Sequence, residues 1–164
     1  MTGSRMLNGY GEGSSIASYG PAVLRLGLAV IFISHGAQKL FGIWGGGGLT
    51  GTAEGFSRLG LEPSYWLAVV AAVVEFGGGL LLLLGAFTSP AALLLVLEMV
   101  VAIWVVHLSK GFFLPDGYEF NFTLIVALIS LLLTGPGALS LDARRASHAA
   151  AAAAGRARLR AGNV

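Results

Sequence analysis

The chain has 164 residues, 55% of them hydrophobic and only 11% charged, whereas ordinary soluble domains are about a quarter charged, so a water-facing globular surface is excluded. The formal net charge of +2 includes no patterned basic face of the kind that binds nucleic acid, because Arg144, Arg145, Arg156, Arg158 and Arg160 all crowd into the C-terminal end. Cysteine is absent, which removes disulfides, thiolate metal sites and Cys-ligated iron–sulfur clusters; any electron carrier must be a bound cofactor or a partner.

Residues 1–20 are rich in Gly and Ser and read as a flexible N-terminal tail. The apolar run after them is span-length and ends in Lys39, not in a cleavage site, so the first span is expected to be retained. Four runs are long enough to cross a bilayer: Pro21–Phe41, Trp66–Phe87, Pro90–Leu108 and Phe120–Pro136. Pro21 suits a helix start. Gly45 to Gly48 force a turn after the first run. In residues 50–65, Phe56, Leu59 and Leu61 alternate with Glu54, Arg58 and Glu62, the pattern of a short interfacial helix or an ordered loop. Trp44, Tyr65 and Trp66 suit the headgroup level. Thr88-Ser89-Pro90 is short enough to make runs two and three an antiparallel hairpin, and Gly135-Pro136-Gly137 stops the last helix. The remainder, 143–164, is an Ala/Arg-rich tail.

The fold class is therefore all-α. One four-transmembrane-helix bundle over residues 21–142 is flanked by the tails 1–20 and 143–164. The arginines after the last run place the C-terminus in the cytoplasm, and an even number of spans places the N-terminus there too. Residues 42–65 and 109–118 then face outward.

Ionisable residues inside or at the edges of the runs carry the functional signal, because hydrocarbon penalises a charge by about 2.5–3.5 kcal/mol on insertion scales. His35 and Lys39 share one helix face. At 1.5 Å of rise per residue, His35 lies about 9 Å before the outer end of its span, and Glu75 about 14 Å in from the outer end of the second. Glu119 opens the fourth span at the same side. His35, Lys39, Glu75 and Glu119 are thus expected to converge as a ligand-binding or polar core in the outer half of the bundle. His107 is a further candidate at that depth. Arg25 enters from the inner side and is expected to pair with Glu98 as a supporting ion pair. A structural role in helix registry competes with binding for each of these pairs. No metal site and no intrinsic cofactor are expected.

Leu24-Arg25, His35-Gly36-Ala37-Gln38-Lys39-Leu40-Phe41-Gly42, Glu75 with Gly78-Gly79, Gly85 with Thr88, Gly117-Tyr118-Glu119 and Gly135-Pro136-Gly137-Ala138-Leu139-Ser140-Leu141-Asp142 together resemble the DoxX family over about residues 20–143. The resemblance implies a small four-helix protein of the bacterial plasma membrane. The family takes its name from the membrane part of a quinone-linked thiosulfate-oxidising enzyme. It further implies a polar core of Arg25, His35, Lys39, Glu75 and Glu119. The leading expectation is an accessory membrane subunit of a quinone-linked oxidoreductase. It would bind quinone or another amphipathic small molecule in a polar intramembrane pocket, with the lipid bilayer, other redox proteins or a second copy in a homo-oligomer as partners. A non-enzymatic membrane scaffold and a small proton-coupled transporter are the competing readings.

Overall fold

The computed structural model describes residues 16–161, so most of the segment read as an N-terminal tail lies outside the described residues. The described chain is all-α. Its helices are α1 (Tyr19–Phe41), α2 (Gly48–Arg58), α3 (Ser64–Leu84), α4 (Thr88–Ala102), α5 (Glu119–Thr134) and α6 (Leu141–Ala161). A π-helical turn, Ile103–His107, and a 3-10 turn, Leu108–Lys110, prolong α4. Three helices, Tyr19–Phe41, Ser64–Leu84 and Thr88–Lys110, are long and apolar enough to cross a membrane. α5 is equally apolar but shorter, at 16 residues, or about 24 Å of rise.

Why the helices stop where they do is legible in their ends. Gly42 adopts φ 69° and donates its N–H to Gln38 O at 3.1 Å, closing α1. Gly85, at φ 62°, ends α3, while Ala86 N–H reaches back to Leu81 O at 3.0 Å. That pattern satisfies carbonyls that have no intrahelical partner. Glu62 bridges α2 to α3: one carboxylate oxygen accepts from Ser64 N–H and the other from Ser57 Oγ, each at 2.9 Å. The Ser64 N–H, then the Ser57 hydroxyl, hold this carboxyl below the usual glutamate range.

α1, α3, α4 and α5 form a ring in which each helix packs on two others, α1 on α3 and α5, and α4 on α3 and α5. The α1–α3 contact is the closest, and two glycines make it so. A Cβ on Gly36 would lie 2.7 Å from Phe76 Cα, and one on Gly79 would lie 2.7 Å from Ile33 N. Small residues let helix backbones approach where lipid supplies no hydrophobic drive. The half of the ring nearer Arg25 is filled by Leu28, Phe32, Leu82, Leu95, Leu128 and Leu131. The opposite half is different: there α2 packs on α3 and α1, and the helices leave a pocket. The expectation of a short helix between the first two runs is met by α2, and the Ala/Arg-rich segment forms one helix, α6, exposed throughout residues 143–156.

At the end of the bundle where α3 stops and α4 starts, Arg25 is buried to 1% exposure. Its guanidinium donates to Leu82 O, to Leu83 O at 2.8 Å, to Pro136 O at 3.0 Å, to Leu139 O at 3.2 Å and to Ala138 O at 3.4 Å. The supporting ion pair expected between Arg25 and Glu98 is not formed. The reason is depth: Glu98 stands ten residues into α4, about 15 Å of rise from its start, while the carbonyls left open at the end of α3 and in the 136–139 turn lie directly beside Arg25 and carry the negative end of the helix dipole. Asp142 closes the same corner by accepting from Thr88 N–H at 2.9 Å and Phe87 N–H at 3.1 Å, which caps the start of α4.

Candidate functional site

The space in the half of the bundle opposite Arg25 is a partly open cavity of about 670 Å³ with mostly apolar walls. It is lined by Phe32 of α1 and Leu124 of α5, by Phe56 and Leu61 from the α2 region, by Leu114 and Pro115 from the loop before α5, and by Val70 of α3 and Leu97 of α4. Into it come His35 and Lys39 from α1, Glu75 from α3, Glu98 and His107 from α4 and its π turn, and Asn121 from α5.

Lys39 Nζ lies 2.5 Å from Glu75 Oε2, an ion pair in which the Lys39 side chain is 26% exposed and that of Glu75 6%. Of the residues expected to converge, the structure therefore brings together His35, Lys39 and Glu75, and adds His107 and Glu98 to the same cavity. The His35 ring stands 6.2 Å from that of Phe120, tilted by 49°. His107 Nδ1 is 2.8 Å from Asp116 O. A carbonyl only accepts, so Nδ1 carries the hydrogen of this bond.

Glu119 does not join them. It is the first residue of α5, its Oε1 accepts from Leu114 N–H at 3.1 Å, and it is absent from the cavity wall. Its carboxylate holds the loop whose Leu114 and Pro115 line the cavity. Arg25 is likewise outside the cavity, at the opposite end of the bundle.

Two features were not found from sequence. Asn121, 9% exposed, lines the cavity and places its Nδ2 3.4 Å from Met99 Sδ. Its signal was available, since it is an amide one residue into an apolar run. The π turn at Ile103–His107 has no signature in its Ile-Trp-Val-Val-His sequence. It re-aims the end of α4 so that Val105, Val106 and His107 all face the cavity, and such turns recur at functional sites.

The sequence comparisons agree with this architecture. The DoxX family model matches residues 20–108. The chain is 35% identical over 123 residues to "Putative oxidoreductase CatD" of Bacillus subtilis, covering 75% of this chain and 84% of that one. It is 30% identical over 128 residues to "Inner membrane protein YphA" of Escherichia coli, covering 74% and 87%. It is 33% identical over 143 residues to "Uncharacterized membrane protein Rv3486" of Mycobacterium tuberculosis, covering 80% and 84%. No solved structure gives a significant match. The apolar helices, the family match and relatives of nearly the same length agree: this chain is a membrane protein and belongs to the DoxX family.

Proposed function

We propose that the protein is an integral subunit of a redox system in the bacterial plasma membrane, and that its outer cavity binds quinone or another amphipathic small molecule. In this reading all four apolar helices span the bilayer, both termini are cytoplasmic, and Arg144 and Arg145 mark the inner boundary. The observation that carries the reading is the cavity itself: an apolar chamber of about 670 Å³, within the size range of small-molecule sites, whose polar groups converge from four helices.

The residues present fit a quinone. Phe32, Phe120 and Leu124 supply walls for a ring, and His35 and Asn121 supply polar contacts at its edge. When bound, such a group supplies two-electron redox chemistry. This chain's own acid–base groups stand at the cavity: the His107 imidazole, and the Glu75 and Glu98 carboxyls from neighbouring helices. The electrons come from a partner protein, since the chain has no cysteine to ligate a cluster. The name of the Bacillus relative supports the redox part of the reading.

Mass spectrometry of gently solubilised protein tests it. Co-purified quinone in the native protein, lost in His35→Ala or Lys39→Ala, is the expected result. Equal quinone content in native protein, variants and an unrelated membrane protein refutes it.

A further inference from the structure

Several polar groups of the cavity are matched among the described residues. Glu75 has Lys39, His107 has Asp116 O, and Asn121 has Met99 Sδ. Glu98 Oε2 is closed off from the surface and has no hydrogen-bond partner among the described residues, although Glu98 lines the cavity. Lys39, the ammonium within electrostatic reach of it, is committed to Glu75. A buried carboxyl oxygen without a partner costs free energy until one arrives, and rotation of the Glu98 carboxyl, whose side chain lines the cavity, turns it to a molecule there.

We propose that Glu98 is the anchor for the polar head of the cavity ligand, and that this head carries a neutral hydroxyl group. The proposal rests on the small-molecule reading above. A hydroxyl suits Glu98 in either charge state, because it donates to a carboxylate and accepts from a carboxylic acid. A carbonyl head can only accept, and so pairs with the protonated form alone. An anionic head meets a wall in which Lys39 is already balanced by Glu75, leaving Glu98 to repel it. For a quinone-type ligand the cavity therefore selects the reduced, dihydroxy form over the oxidised one.

Equilibrium binding to the full chain in lipid nanodiscs under anaerobic conditions tests this. The probes are an alkyl hydroquinone, its dimethyl ether and the corresponding quinone, with dodecanol and its methyl ether as a second matched pair. Each hydroxyl compound is expected to bind about tenfold tighter than its ether, the scale of one hydrogen bond to a charged group. Glu98→Leu should abolish that preference by weakening only the hydroxyl compounds, and unchanged binding of the ethers certifies that the variant is folded. Ethers binding as well as their hydroxyl partners, or a preference that survives Glu98→Leu, overturns the proposal while leaving quinone binding intact. If dodecanol shows the Glu98-dependent preference and neither hydroquinone nor quinone binds, the anchor stands and the quinone reading falls. Binding of none of the five overturns both.

Discussion

Replacing Lys39 with Met keeps the apolar stem and deletes the ammonium. It strands the carboxylate of Glu75, which is 5% exposed and bound to Lys39 Nζ at 2.5 Å. Removing one partner of a buried pair costs about 3–5 kcal/mol, and the 26% exposure of the Lys39 side chain favours the lower end, about 3 kcal/mol. Protonation sets a ceiling. Placing a proton on an ordinary glutamate costs about 1.4 kcal/mol for each pH unit above about 4.3. A stranded carboxyl thus escapes for about 4 kcal/mol at about pH 7.3, and for about 1.4 kcal/mol at about pH 5.3. The folded variant then binds one proton more than its unfolded chain, so its stability falls as pH rises. Reversible unfolding by SDS titration in mixed micelles measures the effect at both pH values. The double variant Lys39→Met with Glu75→Gln removes both charges and should regain most of the loss at either pH. A loss below about 1 kcal/mol at about pH 7.3, or an equal loss at both pH values, would refute the reasoning.

Three further outcomes follow from the packing. Gly36→Ala drives a methyl into the Phe76 backbone and should cost about 1–3 kcal/mol in the same unfolding assay, whereas Gly77→Ala, which meets open space, should be neutral within about 0.5 kcal/mol. Arg25→Lys keeps the charge but offers three donors on one nitrogen in place of a five-donor fork, so it should destabilise this end of the bundle by about 2–3 kcal/mol, read as faster hydrogen exchange around Leu82 and Leu139. Asp142→Ala removes the cap on α4 and should cost about 1 kcal/mol. Burial works to raise the Asp142 carboxyl, but the Thr88 and Phe87 N–H groups and Arg145 outweigh it and hold it below the usual aspartate range. Its contribution is therefore present above the ordinary aspartate value and lost as pH falls through the depressed one, so the native–variant difference should vanish in acid; a constant difference would contradict the assignment.

Residue type and spacing were enough to read the helices, the turns and the membrane setting. Glycine and proline punctuate apolar runs that can satisfy their backbone groups in lipid only by forming helices. His35 and Lys39 were readable as a pair because four residues make one helix turn and one face. Partner choice was not readable in the same way. Arg25 looked destined for a carboxylate and instead took carbonyls of the α3 end and the 136–139 turn. Glu119 looked like a core charge and instead holds Leu114 N–H in the loop before α5. Glu98 looked paired and instead lines the cavity with one buried oxygen unpartnered among the described residues. Sequence supplies depth along one helix axis, whereas a hydrogen bond depends on rotation and separation between helices. Those were set by tertiary features: the close approach at Gly36 and Gly79, the carbonyls of the last turn of α3 at Leu82 and Leu83, and a π turn with no sequence signature that brings His107 round to the cavity.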